Sequence, residues 1–198
     1  MTSPKVCAYF DIPFQHAASN IVKAMRRGFE GNQALRLVEK IRDAIPEAAF
    51  RTSLIVGFPG EGRREFEILK SFVRRARFDH LGVFAYSAEE GTPAFALSDT
   101  VSESEKTARR GELMSLQQAI SLEKNRAHIG RRVEALLERA AGGHPPALVG
   151  RGRFQAPEVD GVIRIRSPRG AESPARGVCS VEITGANVYD LRGRLVVR

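Results

Sequence analysis

The stretch that constrains this chain most is Arg51-Thr52-Ser53-Leu54-Ile55-Val56-Gly57-Phe58-Pro59-Gly60-Glu61. A short apolar run enters a Gly-Phe-Pro-Gly turn, and Phe66, Leu69, Val73 and Ala76 then recur at helical spacing. Strand, loop and helix in that order form the βα unit of a parallel sheet. Ligands of such sheets bind just beyond the carboxyl ends of the strands. A glycine there lets a ligand come close to the backbone, because no side chain stands in the way. The same turn also serves as a tight βα connection with no ligand at all.

The flanking sequence extends the pattern. Residues 6–14 predict a strand closed by Pro13. Ser19 is a candidate cap for a helix that carries Ile21, Val22, Ala24 and Met25 and ends at Gly28. Leu35, Val38, Ile41 and Ile45 predict a second helix over 33–45, with Pro46 just beyond. A strand over 49–56, a helix over 65–75 and a strand over 81–86 follow, the last closed by Glu90-Gly91-Thr92-Pro93. The fold class is therefore α/β, part of a parallel sheet or barrel. One long helix over 102–128 comes next, with Leu113, Leu116, Ile120 and Ala127 as its apolar stripe and Glu105 and Arg109 as an i,i+4 pair. Past Gly130, short β-like pieces at 133–137, 148–149, 162–165, 178–183 and 195–197 predict a small antiparallel barrel, with 167–177 as a mobile loop. The domains read as 1–100, a connecting helix over 101–130, and 131–198.

Charge bears on the partner. The chain of 198 residues carries a net charge of +8, and from residue 131 onward it has 12 arginines against 7 acidic residues. Such an excess suits an anionic partner, nucleic acid or the ribosome surface, as well as a basic surface with no dedicated partner. No apolar run reaches the roughly 18 residues that a membrane span needs, so a cytoplasmic location is the expectation. Cys7 and Cys179 lack metal-ligand spacing and read as small buried apolar residues.

Four segments together resemble the radical S-adenosylmethionine methylthiotransferases. They are Tyr9-Phe10-Asp11-Ile12-Pro13-Phe14-Gln15-His16-Ala17, Lys23-Ala24-Met25-Arg26-Arg27-Gly28, Ile55-Val56-Gly57-Phe58-Pro59-Gly60-Glu61 and Tyr86-Ser87-Ala88-Glu89-Glu90-Gly91-Thr92-Pro93. The barrel-like end is similar to the TRAM domain that closes these enzymes. The resemblance is strongest to the ribosomal-protein branch, which methylthiolates an aspartate of a small-subunit ribosomal protein. His16, the Glu89-Glu90 pair and Ala156-Pro157-Glu158-Val159-Asp160-Gly161 carry that preference. The tRNA-modifying branch and a non-catalytic RNA- or ribosome-binding adaptor are the alternatives. The resemblance implies a partial radical-enzyme barrel over the first hundred residues, then the TRAM barrel, with S-adenosylmethionine as cofactor. It also implies 4Fe–4S clusters in the full-length family, whose Cys-x3-Cys-x2-Cys ligand loop this sequence lacks, so the expectation is a fragment inactive alone.

The resemblance assigns cofactor contacts residue by residue. Gln15 is placed to hydrogen-bond ribose hydroxyls, or else to tie two strand ends together. Arg27 is placed to pair the methionine carboxylate, with Arg26 as its competitor. Ser53 is placed to contact ribose, or to be a satisfied strand hydroxyl. Val56, Gly57 and Phe58 are placed to offer backbone and an apolar face to adenine. No residue is assigned a catalytic or metal-binding role. Arg151, Arg153, Arg164, Arg166 and Arg169 form a basic series suited to phosphate contacts on rRNA or tRNA, on the domain thought to hold the ribosomal protein.

Overall fold

A three-stranded sheet in the order β1 (Tyr9–Asp11), β2 (Ala49–Val56), β3 (His80–Ala85) organises the first part of the chain. The structure is a computed structural model describing residues 5–28, 31–98, 101–141, 147–167 and 177–196. It divides into two units, Phe10–Ile120 and Met1–Tyr9 with Ser121–Arg198. β2 and β3 run parallel, in register from Arg51 opposite His80 to Val56 opposite Ala85. Side chains alternate across a strand, and β2 shows it: Phe50, Thr52, Leu54 and Val56 are buried, while Arg51, Ser53 and Ile55 are only half-buried. The buried face packs on α2 (Gly31–Ala44) and α3 (Arg63–Ala76) through Leu35, Val38, Phe66, Leu69, Phe72 and Val73. The opposite face carries half-buried Ser53, Ile55 and Gly82, and Phe84 at 54% exposure.

α3 shows how local chemistry sets an element's limits. Its first cap, Gly62, has no side chain, so only half of a capping box exists: the Gly62 N–H donates to Glu65 Oε2 at 3.1 Å. At the other end Arg77 turns left-handed (φ 46), and Arg42 of α2 donates to the terminal carbonyls of Ala76 at 2.5 Å and Arg77 at 2.8 Å. Glu65's own backbone N–H, then Asn20's amide, the Gly62 N–H and Arg64 hold its carboxyl below the usual carboxylate value. A depressed folded value gives stability that is complete above the unfolded value, near 4.5, and is lost as pH falls through the folded one. Acid unfolding should therefore shift in Glu65→Gln, whose stability declines less steeply below about pH 4.5 in circular-dichroism titrations.

Several boundaries differ from the sequence expectation. The first strand is three residues long rather than covering 6–14, because Val6 and Cys7 are exposed and the chain leaves the sheet after Asp11. It touches β2 again at the Gln15–Leu54 bridge. Helix α1 (Ser19–Ala24) has Ala18 at its cap position, without a side-chain cap bond, so Ser19 is the first helical residue. It stops well before Gly28. The Arg26 N–H donates to Lys23 O and the Arg27 N–H to Val22 O, a Schellman closure with Arg26 at φ 54 in the place glycine usually takes. Helix α4 (Glu103–Arg126) buries Leu113 and Ile120, whereas Ala127 lies beyond its end and is exposed.

The second unit is a closed barrel. Its strands are β4 (Arg132–Ala141), β5 (Ala147–Gly152), β6 (Ile163–Arg166), β7 (Gly177–Ala186) and β8 (Leu191–Leu195), in the order β4-β5-β6-β8-β7. Ala135, Ile163, Ile165, Val181, Ile183 and Leu191 fill it. The expected all-antiparallel pairing is corrected: β6 and β8 run parallel. Five strands cannot alternate direction all the way round a ring, so one neighbouring pair has to be parallel. In this unit Tyr9 Oη donates to Asp160 at 2.7 Å, and Asn125 donates to the carbonyls of Asn187 and Val188 at 3.0 Å each. Of the predicted mobile loop, 168–176 lies outside the described residues. Cys7 is exposed and Cys179 half-buried on β7, with burial pushing its thiol up, so neither is the fully buried residue expected. Among the described residues no helix is long and apolar enough to cross a membrane.

Candidate functional site

Gln15 is the most constrained residue near the carboxyl ends of the strands. It sits at φ 67, a region that non-glycine residues seldom enter and that costs of the order of 1–3 kcal/mol. β2 holds it there from both sides: the Gln15 N–H donates to Ser53 O at 2.9 Å, and its carbonyl accepts from the Ile55 N–H at 2.7 Å. Gln15 and Ser53 are thereby neighbours. Ser53 stands opposite Gly82, where the missing side chain leaves its hydroxyl room, 3.9 Å from the point a Cβ would occupy.

The motif after β2 folds by its own chemistry. Gly57 turns left-handed (φ 75), and Phe58-Pro59-Gly60-Glu61 make a tight turn with Gly60 at φ 89 and the Glu61 N–H donating to Phe58 O at 2.8 Å. Proline second and a left-handed glycine third define a type II turn. It carries the Glu61 carboxylate back so that Oε2 accepts the Gly57 N–H at 2.9 Å. The close approach at Gly57 is made by protein: a Cβ there would lie 2.3 Å from Cγ of Lys106. Phe58 is buried in a cluster with Ala18, Ile21 and Tyr86, against which Met25 and Ile55 pack. Val56 faces the helical core.

Beneath the turn lies a buried charged group that the sequence did not reveal. Glu61, at 2% exposure, accepts at Oε1 from Arg109 at 2.6 Å, and Arg109 also donates to the Glu61 carbonyl at 2.8 Å. Burial alone pulls the Arg109 guanidinium down, but its bonds to Glu61 and Glu105 outweigh that and raise it. The expected Glu105–Arg109 pair is present; the tie to Glu61, 48 residues away, is the addition. Lys106 lays its stem over Gly57 and pairs with Glu103 at 2.8 Å. His16 is fully buried beside them.

The predicted contacts are not all brought together. Gln15 and Ser53 are adjacent, and the 57–61 loop follows the same strand. Arg27 and Arg26 are exposed just past the end of α1, and among the described residues no hydrogen bond or ion pair joins them to Gln15 or Ser53. A hollow of about 290 Å³ lies elsewhere, lined by Ala17, Ser19, Asn32, Ile68, Ser71 and Arg75, and none of the six predicted cofactor residues lines it. Gln15 and Ser53 are neighbours along the backbone, and Ser53 shares the half-buried face of β2 with Ile55, so an amide and a hydroxyl stand close enough in the chain to suit a ribose in kind. The iron–sulfur cluster is different: among the described residues no three His, Cys, Asp or Glu side chains group closely enough to hold a metal.

On the barrel, β6 reads Ile-Arg-Ile-Arg and β8 Leu-Arg-Gly-Arg-Leu, with each arginine exposed and each residue between them buried. Parallel pairing sets Arg164 opposite Arg192 and Arg166 opposite Arg194. Arg164 pairs with Asp190 at 3.0 Å and Arg194 with Glu182 at 3.1 Å. Of the other predicted arginines, Arg151 is taken by Glu138 at 2.5 Å, Arg153 donates to Val6 O at 3.2 Å, and Arg169 lies outside the described residues. Arg192 and Arg194 extend this basic face beyond the arginines the sequence singles out; their alternation is readable in the sequence, their pairing with β6 is not.

A parallel α/β unit whose strand ends carry a polar, partly open face, followed by a five-stranded closed barrel, defines the class, and residues 129–196 match the TRAM domain family. Over almost its whole length the chain is similar to proteins named ribosomal protein uS12 methylthiotransferase RimO. It is 43% identical to that of Parasynechococcus marenigrum (strain WH8102) over 98% of this chain and 42% of the relative. To that of Anaeromyxobacter sp. (strain K) it is 46% identical over 98% of this chain and 41% of the relative, and to that of Aquifex aeolicus (strain VF5) 43% over 97% and 44%. The chain spans about two fifths of the length of the curated relatives it matches.

Proposed function

We propose that this chain is the part of a uS12 methylthiotransferase that grips S-adenosylmethionine and presents the ribosomal protein to it. The whole enzyme transfers a methylthio group to an aspartate, in the α/β setting of a radical-enzyme barrel. The observation that carries the reading is Gln15, strained and clamped by β2 beside Ser53. Gln15 and Ser53 would take the ribose hydroxyls, Ile55 and the 57–61 loop the base, and Arg27 the methionine carboxylate. S-adenosylmethionine, when bound, supplies the adenosyl and methyl groups of the reaction. Gln15 orients the ribose through an amide whose backbone cannot swing, which is the preorganisation a binding group needs.

Equilibrium dialysis with labelled S-adenosylmethionine tests this. Gln15→Ala should weaken binding by about tenfold or more, the loss of one or two hydrogen bonds worth about 1–3 kcal/mol together. Gln15→Gly relieves the left-handed strain while losing the same amide. Weak binding combined with raised stability in that variant separates the amide's role from the fold. Unchanged affinity in both variants would remove the reading.

For the barrel we propose that Arg164, Arg166, Arg192 and Arg194 contact RNA phosphates while uS12 is held. Like charges set directly opposite are destabilising without a counter-charge, and here only Arg164 and Arg194 pair with a carboxylate among the described residues. Binding to rRNA should weaken with salt. Each of Arg166→Ala and Arg192→Ala should lower the slope of log affinity against log salt by about one. A slope that neither replacement alters would count against this face.

A further inference from the structure

We infer that His16 and Glu61 are positioning residues that hold the two arms of the nucleoside grip, the Gln15 segment beyond β1 and the 57–61 loop, to one carboxylate. This rests on the reading of Gln15 and Ser53 as cofactor contacts. His16 follows Gln15 directly and is fully buried. Its Nδ1 accepts the Ala18 N–H at 3.0 Å, which leaves the proton of the neutral ring on Nε2. That nitrogen stands 3.3 Å from Glu61 Oε2, off the line of a hydrogen bond, and has no hydrogen-bond partner among the described residues.

Glu61 Oε2 is the same atom that accepts the Gly57 N–H, while Oε1 is taken by Arg109. One buried carboxylate therefore faces the segment after β1 through His16, its own loop through Gly57, and α4 through Arg109. A buried donor so close to an acceptor and yet unbonded is costly to keep unless the arrangement serves something. The Nε2–H faces that carboxylate at 3.3 Å, an electrostatic contact in the buried interior that sets the residue next to strained Gln15 against the 57–61 loop. Outer residues of this kind set the direction of the groups that touch the ligand.

Two variants separate the links. His16→Asn keeps an acceptor where Nδ1 stands and loses the reach to Glu61; His16→Gln keeps an N–H near the Nε2 position and loses the Ala18 bond. Amide hydrogen exchange at Gly57, S-adenosylmethionine affinity by dialysis and thermal unfolding are measured on both. His16→Asn should speed Gly57 exchange about tenfold and weaken binding about 10- to 100-fold, the usual cost of losing such a support, and His16→Gln should restore most of both. If the Asn variant does not fold, Glu61→Gln, which keeps the volume, should show the same weakened binding. Equal losses in both His16 variants would make His16 a packing residue and overturn the inference, as would an Asn variant unchanged in exchange and affinity. Should the unaltered chain bind no S-adenosylmethionine, the cofactor reading fails on its own. Gly57 exchange then decides the tie, and an unchanged rate overturns it.

Discussion

Glu61→Ala is expected to lower the unfolding free energy of the 10–120 unit by about 3–5 kcal/mol, the range for removing one partner of a buried ion pair. The size follows from what remains. Among the described residues Arg109, at 6% exposure, keeps Glu105, the position-61 carbonyl and the Phe66 ring, and the Gly57 N–H loses its side-chain acceptor. Urea unfolding followed by circular dichroism measures the loss. Glu61→Gln retains an acceptor for Gly57 and should lose less. Combining Glu61→Gln with Arg109→Met should recover part of the loss, because the double replacement leaves neither charge of the buried pair uncompensated while the amide at position 61 still offers Gly57 an acceptor. A wild-type unfolding midpoint in Glu61→Ala would mean that the carboxylate is not holding the turn.

Gly161→Ala is the second large effect, in the barrel. A Cβ at Gly161 would fall 1.9 Å from the backbone oxygen of Tyr189 and 2.5 Å from its carbonyl carbon. Backbone cannot rotate aside as a side-chain tip does. The crossing is also where the barrel closes: the Val162 N–H donates to Asp190 Oδ1 at 3.1 Å and the Leu191 N–H to Val162 O at 2.9 Å. Separating these segments loosens the β6–β8 pairing and the arginine face built on it. A loss of at least about 3 kcal/mol is expected, the upper end for overpacking. Gly28→Ala, with nothing within 4 Å of its added Cβ, serves as the control and should change little. Near-native amide dispersion of the barrel in Gly161→Ala would show that the crossing yields more easily than its geometry indicates.

What could be read from the sequence was set by periodicity. β2 and α3 lie where alternation and helical spacing put them, since each buries one face against a single core. Four strands of the second unit overlap their expected places, whereas the last lies at Leu191–Leu195 rather than 195–197, because Leu191 and Leu195 both turn into the barrel; the parallel pair follows from the odd strand number. β1 was overextended because β-favouring Val6 and Phe14 flank it, whereas the chain leaves the sheet at Asp11 and returns only at Gln15. The end of α1 was misplaced because an arginine, not the nearby Gly28, adopts the left-handed closure. At the site, Gln15 and Ser53 were legible as neighbours of strand ends. Glu61 with Arg109 was not, since residues 48 apart meet only once α4 is packed, and no local pattern announces that contact.

The proposed location of the sulfonium nucleoside is beside Gln15 and Ser53. Amide chemical-shift mapping during titration with S-adenosylmethionine tests it most directly. Saturable shifts are expected at Gln15, Ser53, Ile55 and Gly57, absent in Gln15→Ala. Shifts confined to the hollow lined by Ser19, Asn32 and Arg75, or none at saturating nucleoside, would contradict it.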